Sequence, residues 1–406
     1  MNVIFLTIGR MYNVENHGIY TDLLRTFRDN GHNVYVVSAN EKRHGKETEF
    51  VEESGIHALR VKIGNITKCG MIEKGISTVR VESQFIRAIK KYLSDVKFDL
   101  VIYSTPPITF AKAVEYIKKR DGARSYLLLK DIFPQNAVDI GIMTKGGLKG
   151  VLYKFFRNKE KKLYKFSDRI GCMSQANADY IIRNNSEVDP EKVEVCPNSI
   201  EIVDMRVSDQ EKAEIRAKYG IPLDKPVFVY GGNLGKPQGI PFVIECLKAQ
   251  TENKGAYFLI VGDGTEYGKI DAWISEAKPD NIKLMNSLPK EDYDKMVAAC
   301  DVGMIFLDHR FTIPNFPSRL LSYMQAGLPV LAATDPNTDI GKVIVNGEFG
   351  WWCESNSVDE FTATVNQALS ALDKNKDAYK NAAFDALHTR YDIRDAYKTI
   401  VKHTNN

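Results

Sequence analysis

Pro317-Ser318-Arg319 is the spacing in this 406-residue chain that most directly offers chemistry. It opens PSRLLSYMQAGLPVLA, which the pattern reads as a loop, a helix over 318–326 and a buried strand. A proline at the first turn, a serine able to cap and a neighbouring arginine set free backbone N–H groups and a cation at one helix N-terminus, and that combination binds phosphate. Gly327-Leu328-Pro329 ends the helix and feeds the strand. Standing alone, the segment reads as an ordinary helix-to-strand turn. Two loops upstream shift the balance. GGNLGKPQG (231–239) follows an apolar strand; its glycines, Gly232 among them, allow close backbone approach, and Asn233, Lys236 and Gln238 supply polar heads, Lys236 as a point charge for a diphosphate. VGDGTEYG (261–268) places Gly262, Asp263 and Gly264 after a second apolar strand, where they line a nucleotide or simply turn the chain.

These loops need parallel strands to hold them. VIFLTI (3–8), a helix over 19–31 and NVYVVS (33–38) form one βαβ unit, and further strands fit IHALRVKI, DLVIYS, SYLLLKD, RIGCMS and VEVCP. A new start at 221–230 opens a second βα array: PVFVYG, helix 240–250, YFLIVG, helix 267–278, IKLM, helix 291–299, VGMIFL, helix 318–326 and PVLAA. Two successive arrays predict an α/β protein of two Rossmann-like domains facing each other across a ligand cleft. The expected division is 1–200, joined by a C-terminal helix in 388–406, and 201–387. In such sheets ligands sit beyond the carboxyl ends of the strands, where all three loops lie.

The totals exclude several classes. A net charge of +3 carries no basic stripe for nucleic acid. The six cysteines form no CxxC pair, which points to reduced thiols rather than a metal site or disulfides. No apolar run reaches a membrane span, and the N-terminus lacks a signal-peptide pattern, so the expectation is a cytoplasmic protein. A dinucleotide dehydrogenase is disfavoured, because GRMYNVENHG lacks GxGxxG and no acidic residue ends VVSAN.

With these segments in order, the chain resembles a GT-B glycosyltransferase of the large retaining family 4, in the manner of bacterial capsule and O-antigen N-acetylfucosamine transferases. The segments that carry the resemblance are STPPITFAKA, KDIFPQNAVDIG, EKKLYKFSDRIGCMS, VEVCPNSIE, YGGNLGKPQGI, VGDG and PSRLLSYMQAGLPVLA. The resemblance implies a nucleoside-diphosphate sugar donor, UDP-linked, on the second domain, a saccharide acceptor on the first, retention of anomeric configuration, and no metal or other cofactor. It puts Asn233, Lys236, Gln238, Ser318 and Arg319 on the diphosphate and Gly262, Asp263 and Gly264 near the nucleotide. It sets His17 and Gly18 where the family has a glycine-rich loop facing the donor phosphate, and Asp131 near the transferred sugar. A plain cap on the next turn explains Asp131 as well. The glutamate pair common in the family is replaced by Pro314 and Ser322, of which Ser322 still offers the ribose a hydroxyl.

Residues 145–169 hold nine Lys or Arg against Glu160 and Asp168, with Leu148, Val151, Leu152, Phe155, Phe156, Leu163 and Phe166 at helical spacing. Such a helix lies on an anionic membrane, suiting a lipid-diphosphate-linked acceptor at its inner face, or packs on the core with a solvated basic back; both readings stay open. The loop 62–75 is a second candidate for that contact. Asp292-Tyr293-Asp294 copies a metal-binding pattern but sits at a helix N-terminus, where acids favour the dipole. The expected reaction is glycosyl transfer to a surface polysaccharide, with Lys236 and Arg319 stabilising the leaving diphosphate. A GT-B UDP-sugar 2-epimerase and a non-catalytic partner subunit remain as alternatives, the second suggested by Pro314 and Ser322.

Overall fold

The computed structural model describes residues 1–67, 69–147 and 150–404. Two compact units divide the chain: residues 1–201 with the segment from Ile393 onward, and Ile202–Asp392.

The first unit carries strands β1 (Asn2–Leu6), β2 (Asn33–Glu41), β3 (Glu49–Glu53), β4 (Ile56–Ile63), β5 (Leu100–Ser104), β6 (Arg124–Leu129), β7 (Arg169–Cys172) and β8 (Val193–Val195). Their order is β3-β4-β2-β1-β5-β6-β7-β8. All neighbours pair in parallel except β3, which runs antiparallel to β4. The inner strands are apolar throughout because helices cover both faces. The sequence pattern did not announce β3: EFVEE is a polar edge strand, and its glutamates keep the edge from pairing further. Leu24 and Phe27 of the helix Ile19–Asp29 pack into one core with Phe5, Ile102 and Ile393, Ala396 and Ile400 of the C-terminal helix Ile393–Val401. That helix begins later than the 388 expected, because the preceding helix Val358–Arg390 runs through those residues.

The second unit carries β9 (Val227–Asn233), β10 (Tyr257–Asp263), β11 (Ile282–Met285), β12 (Val302–Phe306), β13 (Val330–Thr334) and β14 (Gly350–Glu354), all parallel, in the order β11-β10-β9-β12-β13-β14. This is the doubly wound order, with its reversal between β9 and β12; in the first sheet the reversal falls between β1 and β5. At each reversal neighbouring chain segments leave in opposite directions and open a crevice at the carboxyl ends. No helix among the described residues is long and apolar enough to cross a membrane.

One dehydrated clamp fixes the amino-terminal side of the second sheet. Asp301, 2% exposed just before β12, accepts from Lys212 Nζ at 2.6 Å, from Lys376 and Arg216, and from the Val227 N–H at 2.8 Å. Burial alone would push this carboxyl up; the three cations outweigh it and hold it well below the usual carboxylate range. Its stabilisation is therefore present above the unfolded pKa and lost as pH falls through the folded one. Asp301→Asn leaves the buried Arg216 and the half-buried Lys212 and Lys376 without their counter-charge and should cost about 3–5 kcal/mol at neutral pH. Urea unfolding of both proteins between pH 7 and 3 checks this, and the difference should narrow at the acid end.

Candidate functional site

In the second unit the residues meet at the β9/β12 reversal. Arg319 is the first residue of the helix Arg319–Gln325. Its Cζ lies 4.3 Å from the Tyr230 ring centroid, and Tyr293 and Tyr323 act on it electrostatically from the same pocket. Burial pushes all three tyrosine hydroxyls above their usual range, so the arginine sits among neutral rings. Glycines make the room. A Cβ at Gly231 would collide with the Tyr293 hydroxyl, one at Gly303 with the Tyr323 ring, and one at Gly232 (φ +125°) would lie 3.4 Å from Arg319 Nη2. Arg319 Nη1 is buried and has no hydrogen-bond partner among the described residues. An orphaned charged donor of this kind forgoes roughly 1.5–3 kcal/mol, which an incoming anion restores.

The loop after β9 is built to stay put. Gln238 Oε1 accepts from Asn233 Nδ2 and the Gly235 N–H, both at 3.2 Å, and the Asp308 N–H donates to Pro237 O at 2.9 Å. Lys236 is exposed, with no side-chain partner among the described residues. Gln238, 8% exposed, thus braces the loop. Gly262 and Gly264 have a packing reason as well, since a Cβ on either would strike the carbonyls of Gly232 and Leu234. Asp263, exposed at the end of β10, accepts from the Gly264 N–H at 2.7 Å. Ser318 is exposed and its side chain does not cap the helix, contrary to the sequence reading; its backbone is itself helical in φ/ψ. Ser322 lies one turn beyond Arg319, half-buried, and Pro314 is buried. The loop leading to Arg319 is tied from β13: Asn337 Nδ2 donates to Phe311 O at 2.6 Å and the Thr338 hydroxyl to Asn315 O.

In the first unit His17 and Gly18 close the loop after β1. Arg25 shapes it, bonding Asp22 at 2.6 Å, Glu201 at 2.9 Å, Val14 O at 2.6 Å and Asn16 O at 3.1 Å. His17 Nδ1 lies 3.4 Å from Arg25, 3.6 Å from Glu201 and 3.8 Å from Asp22. His17, Asp22 and Glu201 have the spacing of a metal triad, but the Arg25 guanidinium already occupies their carboxylates. Gly18 donates its N–H to Asp22 at 2.9 Å. Asp131 follows β6. Asn136 Nδ2 lies 2.8 Å from both its carboxylate oxygens, and Thr105 Oγ1 takes its N–H at 3.1 Å. No cation pairs with Asp131 among the described residues, and burial pushes it up to about 6 against the hydrogen bonds from Ile132 and Asn136.

Two sequence readings change. The strand β2 does end on an acidic residue, Glu41, but that carboxylate is spent on Thr67 Oγ1 at 2.6 Å and the Ile66 N–H at 3.0 Å. In Asp292-Tyr293-Asp294 the carboxylates pair with Lys218 and Lys290, while Tyr293, set aside by the motif reading, lines the Arg319 pocket. The tyrosines went unnoticed because each looks like core; for Tyr293 and Tyr323 the signal was the glycine opposite the ring.

Comparison with known proteins agrees with this geometry. Residues 211–384 match the family of group 1 glycosyl transferases, and residues 19–203 match glycosyltransferase family 4. WbjE of Pseudomonas aeruginosa, named a probable glycosyltransferase, is 23% identical over 316 residues, 76% of this chain and 75% of its own. WcaI of Escherichia coli, named a putative colanic acid biosynthesis glycosyl transferase, is 25% identical over 284 residues, 67% of each chain. HepE of Anabaena, solved with UDP and glucose, has the same fold at a TM-score of 0.68 and 15% identity, over 100% of this chain and 99% of that one. The chain belongs to the family 4 glycosyltransferases and has their GT-B fold.

Asp131 supplies a test of function against stability. A carboxyl with a raised folded pKa costs stability as pH rises through about 6, so Asp131→Asn should melt at or above wild type at pH 7.5, the gain vanishing near pH 4. Its transfer rate should fall at least about tenfold and lose any acid limb near pH 6. Calorimetry beside a pH–rate profile reads both; a lower melting point with a parallel loss of rate would make Asp131 structural.

Proposed function

We propose that this protein is a retaining glycosyltransferase that moves a sugar from a UDP-linked donor to a saccharide acceptor in surface-polysaccharide synthesis. The observation that carries the reading is the buried, unpartnered Arg319 Nη1 beside Gly232 at the β9/β12 crevice. The donor diphosphate accepts from that nitrogen, from the free N–H groups at Ser318 and Arg319, and from Lys236 and Asn233. Asp263 lies at the nucleotide side, and Ser322 offers the ribose a hydroxyl in place of the family's glutamate. HepE, solved with UDP and glucose, supports a UDP-linked donor, and the name of WcaI supports a polysaccharide product.

The acceptor, held by the first unit, attacks the anomeric carbon from the face the diphosphate leaves. The glycosidic bond forms as the carbon–oxygen bond to phosphate breaks, and a phosphate oxygen takes the hydroxyl proton. Asp131 stabilises positive charge developing at the anomeric carbon, and His17 contacts acceptor or phosphate. Arg319 and Lys236 neutralise the leaving group, so no metal is required. The pairing of Asp292 and Asp294 with lysines is consistent with that.

The acceptor is carried on a lipid diphosphate at the inner membrane face. On the helix Gly150–Phe166 the first turns expose Val151 (68%), Leu152 (52%) and Phe155 (39%) beside Lys154, while Leu163 and Tyr164 turn into the core. The exposed first turns support the membrane reading and the buried last turns the core reading, and Leu148 lies outside the described residues. Leu152→Glu with Phe155→Glu should abolish co-sedimentation with anionic vesicles and leave UDP binding unchanged; retained sedimentation would remove the membrane contact.

The donor reading is tested by melting the protein with UDP, GDP, ADP and CMP, with and without Mg²⁺. A metal-independent rise with UDP is expected. Arg319→Ala should keep the fold, lose that rise and lose roughly 10²–10³-fold in turnover. Near-normal turnover in that variant would defeat the phosphate role.

A further inference from the structure

At the carboxyl end of β1 and β2, on the loop that also carries His17, three cations surround one ring. Arg10 Cζ lies 3.8 Å, Lys46 Nζ 4.6 Å and Arg60 Cζ 5.2 Å from the Tyr12 ring centroid. Only one of the three is compensated. Arg60 bonds Glu49 at 3.2 Å, Glu53 at 3.0 Å and Met11 O at 2.9 Å, and so fixes the backbone that presents Tyr12. Arg10 and Lys46 are exposed and have no carboxylate partner among the described residues. The nearby acids are spent elsewhere: Glu41 on Ile66 and Thr67, Glu47 on Lys62. The ring is held by its hydroxyl, which donates to Asn40 Oδ1 at 2.9 Å. Asn40 is 1% exposed, and its Nδ2 is buried with no acceptor among the described residues. A buried amide donor left unmade costs about 1–3 kcal/mol. Two uncompensated cations and an idle donor on one loop cluster lack the same thing, an anionic oxygen group.

We propose that Arg10, Lys46 and Asn40, gathered around Tyr12, form an anion subsite for the acceptor, taking a diphosphate or a sugar carboxylate. The proposal rests on the reading that the first unit holds the acceptor. The cations supply charge-assisted hydrogen bonds, and Asn40 Nδ2 completes the shell as the loop after β1 closes on the ligand. A subsite of this kind selects acceptors that carry negative charge next to the accepting sugar, and it makes acceptor KM depend on salt.

The test is calorimetric titration of the full chain, saturated with UDP to fill the donor site, with inorganic pyrophosphate in one arm and glucuronate in the other. Wild type should bind at least one, more weakly as salt rises. Arg10→Gln with Lys46→Gln, both at exposed positions, should bind it on the order of tenfold or more weakly while its melting point and UDP affinity stay at wild-type values. The arm that responds identifies the source of the charge. Equal binding by variant and wild type, or no binding of either probe to wild type, would overturn the subsite. An equal loss of UDP affinity in the variant would overturn it too, by giving the two cations to the donor. Failure of wild type to bind UDP would strike the donor reading instead and is measured separately.

Discussion

The second unit is organised around a guanidinium that lacks part of its solvation. Arg319 has one nitrogen buried without a partner and the Tyr230 face at 4.3 Å. Desolvating a cation is expensive, and the rings return only about 0.5–2 kcal/mol by cation–π attraction. The surrounding sequence is arranged to make that state persist. Gly231 and Gly303 admit the tyrosines, Gly232 lets the guanidinium reach the backbone, and Asn337 and Thr338 hold the loop that delivers it. The short helix behind Arg319 is too brief to supply much dipole, so position rather than helix field is its contribution.

The first unit repeats the plan with opposite sign. Asp131 is ionisable, poorly solvated and held by one neutral donor, Asn136, while Thr105 Oγ1 accepts its backbone N–H. A neighbouring arginine would have stabilised it and removed its ability to respond to positive charge on a sugar. Arg25 is instead consumed by Asp22 and Glu201, where it shapes the loop carrying His17 and Gly18. Two arginines of one chain thus do different work because one is saturated with carboxylates and the other has none among the described residues.

Much of the framework was legible because parallel strands covered on both faces announce themselves as apolar runs. VIFL, LVIYS, IKLM and VGMIF lie within a residue or two of where their pattern put them. β3 and β14 were not legible: one is a polar edge strand, the other a short segment whose two tryptophans fit a helix equally well. In the site, glycines and cations could be seen because their types are unusual after a strand. The tyrosine pocket could not, since a buried ring looks the same whether it packs on leucine or on a guanidinium. The Ser318 cap failed because propensity names residues able to cap, whereas the backbone at 318 had already turned helical.

Charge balance separates the two edges of each sheet. At the amino-terminal edges charges are satisfied: Asp301 takes three cations, Asp168 binds Lys118 at 2.7 Å and the Ser125 N–H at 2.9 Å, and Asp99 takes the Asn2 N–H at 2.7 Å. At the carboxyl-terminal edges several are left open: Arg319, Lys236, Arg10 and Lys46 on the positive side, and on the negative side Asp131 and Asp335, which has a buried oxygen without a partner. Burial pushes both of those carboxyls up to about 6. A fold selected for stability alone would not leave Arg319 Nη1, Asp131 and Asp335 poorly solvated at this edge, because each such group costs free energy that a neutral residue would not. The asymmetry follows the geometry of the doubly wound sheet. Only the carboxyl edge has a reversal where a ligand can enter, so only there does an unpaired charge find a partner when the substrate arrives.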